Sequence, residues 1–397
     1  MDLARRNVAL LTASQALLFT NNVILIAING LAGFALAPTP ALATLPVTGY
    51  VVGAALSTYP MSMYMRRAGR RAGFNVGAAF GMAGAALCAL GVWLGAFWLL
   101  VLGTLVSGVY NAAGAYYRFA AADTASVDFK SKAISLVMAG GIVGGVLGPE
   151  TSKLTRELLP VTYLGTYLSL IGFAAVAITM LRWLEIPRLT EQERQESGRP
   201  LSVIMAQPVF VVAVISAMVG YGVMNLLMTA TPIAMTHHHH HHYDDAAFVL
   251  EWHVIGMFLP SFFTGSLIKR FGVLQVILAG AALMFVCVAF ALSGTDLLSF
   301  WVALVLLGVG WNFMFIGGTT LLTEAYTPAE KARTQGVNDL LVFLTMATSS
   351  FSSGALVTST GWSALNWWSL PFLTVATLAT AWLLAQRHAA AGRRLQP

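Results

Sequence analysis

The chain has 397 residues, of which 57% are apolar and 10% charged, with a mean hydropathy of +0.75. That balance excludes a soluble globular protein, which needs charge over most of its surface, and predicts an integral membrane protein crossing the bilayer many times. The two cysteines, Cys88 and Cys287, both fall inside apolar segments, which excludes a disulfide framework. Apolar segments of about 20 residues, the length of a membrane-crossing helix, occur near 8–36, 42–65, 74–94, 97–120, 132–151 and 160–182. After a polar interval they resume near 204–235, 246–268, 273–292, 298–324, 336–358 and 366–385. The expected fold is therefore all-α, with twelve transmembrane helices.

The first segment is too long for a signal-peptide core and is expected to stay as a helix. In the fifth, Gly140, Gly141, Gly144, Gly145 and Gly148 dilute the hydropathy; such closely spaced glycines let two membrane helices approach. Between the sixth and seventh segments lies the most polar stretch, Glu185 to Pro200, with the run Glu191-Gln-Glu-Arg-Gln-Glu196. It divides the chain into an N-terminal half (1–184), a linker (185–203) and a C-terminal half (204–397).

Threading twelve spans with the N-terminus inside places Arg5, Arg6, Arg66, Arg67, Arg70, Arg71, Lys130, Lys132, Lys269, Arg270, Lys331, Arg333 and the C-terminal arginines on one side. Only Lys153 and Arg156 fall in an outside loop. Positive charge collects in the cytoplasm, so both termini are expected there. The net charge of +6 is accordingly a topology signal, and no nucleic-acid partner is expected. Arg118, at the inner end of the fourth span, is expected to snorkel to the interface.

The halves repeat. Arg66-Arg-Ala-Gly-Arg-Arg71 follows the second span and Gly265-Ser-Leu-Ile-Lys-Arg-Phe-Gly272 the eighth. One offset of 201 residues also pairs Asn111 with Asn312, Asp123 with Glu324, Lys130 with Lys331 and Lys132 with Arg333. Repeated halves about a central pathway are a transporter architecture. No nucleophile–base arrangement, cofactor motif or nucleotide-binding motif is present, so neither enzymatic activity nor ATP-driven transport is expected.

Two of the spans carry pairs of soft ligands. Met224 and Met228 lie four residues apart in the seventh, and His253 and Met257 in the eighth; positions i and i+4 share one helix face. Thioethers with imidazole favour Cu(I), and an intramembrane histidine is costly enough to mark a functional site. Methionine packing is the competing explanation. Six consecutive histidines, His237, His238, His239, His240, His241 and His242, fall in the loop between these spans. They are either a native run that captures metal at the mouth, with Met235 as a relay, or an engineered tag that would bind the same ions. Met61 and Met65, at the end of the second span, are a candidate exit site. Among the few membrane-edge acids (Glu150, Glu251, Glu324 and Asp339), Glu251 and Asp339 are candidates for proton coupling, against simple hydrogen bonding at the surface.

The segment from Gly265 to Gly272 resembles the loop motif GxLxDRxGRR of the major facilitator superfamily, with Lys269 in place of its aspartate. The first-half copy keeps Arg67, Gly69, Arg70 and Arg71, but has Ser62 for the glycine and Arg66 for the aspartate. The resemblance implies that Arg67, Gly69, Arg70, Arg71, Gly265, Arg270 and Gly272 belong to gating loops that lack their usual acid. Gly140 to Pro149 is similar to the glycine-rich fifth helix of the same superfamily. Met224-xxx-Met228 and His253-xxx-Met257 resemble the paired motifs of its CcoA-type branch of copper importers. That branch implies import of copper ion across a bacterial inner membrane, for haem–copper oxidase assembly, by a monomer in membrane lipid that hands the ion to a cytoplasmic acceptor. Copper is then substrate, and no cofactor is expected. A sister branch is associated with riboflavin uptake, for which Tyr221, Trp252, Trp311 and Asn312 would line a larger pocket. A receptor or metal sensor that does not transport is a third reading, against which the repeat argues.

Overall fold

The computed structural model describes residues 3–39, 42, 45–186 and 198–394. Among them there are helices and no strands. The first half holds α1 (Leu3–Leu36), α2 (Leu45–Ala68), α3 (Arg70–Leu94), α4 (Phe97–Gly114), α5 (Tyr117–Thr124), α6 (Lys130–Thr155) and α7 (Leu164–Leu181). The second holds α8 (Leu201–Met205), α9 (Pro208–Ile233), α10 (Tyr243–Phe258), α11 (Ser261–Phe271), α12 (Val273–Ser293), α13 (Leu297–Leu322) and α14 (Lys331–Arg394). The last is interrupted at Gly361, whose φ of 81° is left-handed. The acidic run Glu191 to Glu196 lies outside the described residues.

Nine helices among the described residues are long and apolar enough to cross a membrane, or ten if α10 and α11, bent by 42° at their junction, form one span. Two predicted spans do not meet that test. One is α2, which is 24 residues long but diluted by Thr48, Ser57, Thr58, Ser62 and two arginines. The other is the part of α14 before Gly361, with four serines between Ser349 and Ser353.

Two compact units emerge. The first comprises 1–127, 136–198 and 328–343; the second comprises 128–135, 199–327 and 344–397. Each unit therefore takes in a short segment from the opposite sequence half. In the first, the glycines of the fifth predicted span do bring helices together. A methyl group on Gly144 would stand 2.6 Å from the Thr20 nitrogen of α1, and one on Gly140 would stand 2.3 Å from the Thr12 carbonyl. Backbone contact of this kind replaces the missing hydrophobic drive between helices in lipid. In the second unit the same device joins α10 to α13. A methyl on Gly308 would lie 2.6 Å from the His253 carbonyl, and one on Gly256 would lie 2.8 Å from that of Val305.

The repeat is visible in the backbone itself. Gly69 and Gly272, which close the two loop motifs, have φ, ψ of 92°, 157° and 97°, 152°. Only glycine adopts such angles cheaply.

Candidate functional site

In the second unit, α9 carries Met224 and Met228, and α10 carries His253 and Met257. Met224, His253 and Met257 are buried, while Met228 is half-buried. His253 is turned toward α13, where its Nδ1 lies 2.7 Å from the Leu304 carbonyl. A carbonyl only accepts, so Nδ1 carries the proton. Nε2 is enclosed and has no hydrogen-bond partner among the described residues. Next to Met224, Asn225 donates to the Met346 carbonyl and to Ser349 Oγ of α14. The described residues contain no group of three or more His, Cys, Asp or Glu able to hold a metal ion.

The histidine run is built into the fold. A π-helical turn, Ala234–His238, prolongs α9 past the buried Met235, and His241 Nε2 reaches the Thr295 carbonyl at 2.7 Å. The rings of His239 and His241 both rest on Phe300. His242 caps α10, with reciprocal bonds to Asp245. The side chains of His237 and His238 lie outside the described residues.

Beside these helices stands an aromatic cluster. Trp311 and Phe315 stack 5.2 Å apart at an interplanar angle of 13°. Tyr221 meets both edge-on at 5.4 and 5.2 Å, and Phe258 meets Trp311 edge-on at 5.7 Å. The Trp311 indole N–H is buried and has no acceptor among the described residues. Trp252 does not join this cluster: it is exposed and packs against Phe248 and Trp301. Asn312 is also committed elsewhere. Its Nδ2 donates to the Met257 carbonyl and Ser261 Oγ, each at 2.6 Å, and its Oδ1 accepts from Thr264 at 2.7 Å. It stitches the bend between α10 and α11 to α13. In the first unit its repeat partner Asn111 accepts one bond, from Asn22, whose Oδ1 in turn accepts from Tyr50.

The first unit also contains a charged cluster. Arg118 does not snorkel: its side chain is 7% exposed and bonds Asp339 Oδ1 at 2.5 Å. Asp339, expected at the surface, is 1% exposed. Asp123 accepts from Arg70 Nε at 3.2 Å and Lys331 Nζ at 3.1 Å, and Arg70 also reaches Gln335. The loop motif that lacks its own acid therefore borrows Asp123 from α5. Arg67 is exposed, and Arg71 donates to the Arg182 carbonyl. Met65 fills the space over Gly73 and its sulfur lies 3.7 Å from Arg70, while Met61 is buried nearby. Glu251, in the second unit, is exposed.

Serine hydroxyls form a second, uncharged tie between helices. In the first unit Ser62 donates to the Ala332 carbonyl at 2.6 Å and lies against Gly336. In the second, Ser131 donates to the Gly265 carbonyl at 3.0 Å and Ser135 accepts from the Gly265 N–H at 3.1 Å. The two ties are mirror images in the repeat. Serine faces glycine in both, with the two residues exchanged. Near the second tie, Asp128, Phe129, Lys132, Ser266, Lys269 and Arg270 line a basic recess of about 570 Å³.

Repeated helical halves, polar groups buried inside apolar helices and glycine-mediated packing define a membrane transporter of the secondary type. The family model of the Major Facilitator Superfamily matches residues 10–248 and 213–396, so the chain belongs to that superfamily. It is 40% identical over 391 residues to the riboflavin transporter RfnT of Brucella anthropi, covering 98% of both chains. It is 29% identical to the uncharacterized MFS-type transporter YdeG of Bacillus subtilis, over 83% of this chain and 80% of that one. Among solved structures, the superfamily transporter FucP in its outward conformation aligns with a TM-score of 0.76 at 15% identity, covering 96% of this chain and 99% of that one. A bacterial homologue of the iron transporter ferroportin aligns with a TM-score of 0.73 at 13% identity, over 96% and 99%. These two likenesses concern the fold alone.

Proposed function

We propose that this chain is a secondary transporter that takes up riboflavin, or a solute built on the same isoalloxazine ring, across a bacterial inner membrane. In this reading it works as a monomer in membrane lipid, with both termini cytoplasmic. The observation that carries it is the full-length relationship to the Brucella anthropi riboflavin transporter. The aromatic cluster supplies a chemical basis. A flat ring system is held best by offset stacking and edge contacts with other rings. Tyr221, Trp311 and Phe315 offer both, and the unpartnered Trp311 N–H is a donor for a ring carbonyl or nitrogen.

Copper import is the second reading. It is favoured by one observation, the bare Nε2 of the buried His253 on the same unit as Met224, Met228 and Met257. The resemblance to CcoA-type importers does not separate the two substrates, and the i,i+4 spacing is shared by ordinary helix packing.

Uptake of radiolabelled riboflavin into bacteria unable to make or import it decides between them, with copper uptake followed in parallel. The expected result is riboflavin accumulation that falls strongly in Trp311→Ala and Tyr221→Ala at equal membrane abundance. Absence of riboflavin uptake by the parent chain, with copper uptake abolished in both Met228→Ala and His253→Ala, would overturn the proposal in favour of copper.

A further inference from the structure

The exposed face of α11 is graded along its length. Ser261, Thr264, Gly265 and Ile268 are buried, whereas Phe262, Phe263, Ser266, Lys269 and Arg270 are exposed. At spacings of three and four residues the exposed set forms one stripe: two phenylalanines, then a hydroxyl, then two cations. The rise from Phe262 to Arg270 is about 12 Å. At the basic end lies the recess of about 570 Å³, which Lys132 of α6 closes from the other side. That wall is fixed. A methyl on Gly265 would stand 2.5 Å from the Lys132 Cα, and the bonds of Ser131 and Ser135 to Gly265 hold this close approach. Lys132 and Arg270 make no ion pair among the described residues. Lys269 meets Asp128 at 3.7 Å, with the two side chains 61% and 85% exposed. A solvated pair of that kind contributes little and exchanges readily for another anion.

We propose that this recess binds the phosphate of an anionic phospholipid, with an acyl chain lying along Phe262 and Phe263. Lys132, Lys269 and Arg270 face a single carboxylate, Asp128, so the recess selects for negative charge. A zwitterionic headgroup brings its own cation, which would meet that excess of positive charge with only Asp128 to offset it. A free phosphate shares the anion's chemistry, but these cations are solvated and a small ion has no second anchor here. The lipid is held by its chains already, so the recess acts on a molecule concentrated at the membrane surface. In place, the headgroup joins α6 to α11 across the same junction as the serine tie. Asp128 competes with the phosphate for Lys269 and so limits how tightly the lipid is held. None of the recess walls belongs to the aromatic cluster, and the inference does not depend on the identity of the solute.

Native mass spectrometry of the full chain, stripped of lipid in mild detergent, counts bound molecules as dioleoylphosphatidylglycerol or dioleoylphosphatidylcholine is added. One phosphatidylglycerol should bind ahead of all further lipid, and more tightly than phosphatidylcholine. A basic residue near an anionic lipid surface strengthens attraction about five-fold. Lys269→Gln should therefore weaken the first binding about five-fold, and Lys132→Gln/Lys269→Gln/Arg270→Gln about a hundred-fold. Asp128→Asn should tighten it. Ser266→Trp fills the recess without changing its charge and should also weaken binding, whereas Arg387→Gln, at a partly exposed cation elsewhere, should not. Unchanged first binding in the triple variant or in Ser266→Trp would overturn the proposal, as would a loss in Arg387→Gln equal to that in Lys269→Gln. Inorganic phosphate and glycerol 3-phosphate separate the two sources of the anion. Neither should displace the lipid at equal concentration; displacement by either would make the ligand a free phosphate and overturn the lipid assignment.

Discussion

Asn312 gives the most direct energetic test of how the bent span is held. Asn312→Ala removes two donated bonds and one accepted bond, and strands the Met257 carbonyl and Ser261 hydroxyl inside the helix bundle. Side-chain hydrogen bonds between membrane helices average about 0.6 kcal/mol each, with a maximum near 1.7. Three of them give about 2 kcal/mol, and about 5 if every one is at the upper limit. The repeat provides its own control. Asn111→Ala removes one described bond, from the half-buried Asn22, for an expected loss of about 0.6 kcal/mol. Reversible unfolding of the purified protein in mixed micelles by graded addition of SDS would compare the two variants with the parent. Equal losses in the two variants, or a loss below about 0.5 kcal/mol for Asn312→Ala, would refute the idea that this amide is what holds the bend.

Further outcomes follow from packing and charge. Gly308→Leu should separate α10 from α13, because even a methyl there would meet His253 and Met257 backbone. Overpacking costs about 1–3 kcal/mol or more, and detergent-extracted protein should lose its single size-exclusion peak; an unchanged peak would count against the contact. Arg118→Ala should destabilise more than Asp339→Asn, since breaking a buried pair from the cation's side leaves a stranded carboxylate, at about 3–5 kcal/mol. The double variant Arg118→Leu/Asp339→Leu should recover most of that loss, as thermal unfolding would report. The half-exposed pair Arg387–Glu324 should matter little: Glu324→Ala should change stability by about 0–1 kcal/mol and be insensitive to salt within that margin. Replacing the six histidines by glycine and serine should leave riboflavin uptake intact if the run only caps and packs the loop. Loss of uptake at equal abundance would assign it to the path.

Much of the fold is legible in the residues because hydropathy and glycine spacing are local. The glycines of α6 predict close helix approach, and they meet α1 as backbone against backbone. The loop motifs predict a repeat, and Gly69 and Gly272 share nearly the same dihedral angles. Partners far along the chain are not legible in this way. Arg118 and Asp339 each look like interface residues from their own segments, and only the fold brings them together across 221 positions of sequence. Spacing has the same limit at the ligand pairs. An i,i+4 pattern puts His253 and Met257 on one face of α10, but it does not say which neighbour that face meets; Nδ1 meets α13 through Leu304. Trp252 and Asn312 show the same limit. Both are chemically suited to a pocket, yet one packs on Phe248 and Trp301 rather than on Trp311, and the other already bonds across a bend.

The exchanged serine and glycine of the two ties bear on how the duplicated halves diverged. At Ser62–Gly336 the larger residue lies on α2, whereas at Gly265–Ser135 it lies on α6. A side chain at Gly336 would press on Tyr59 and Ser62, and one at Gly265 would meet the Ser131 and Lys132 backbone. The first half thus carries serine at both positions and the second half glycine at both, and each tie joins a position of one half to a position of the other.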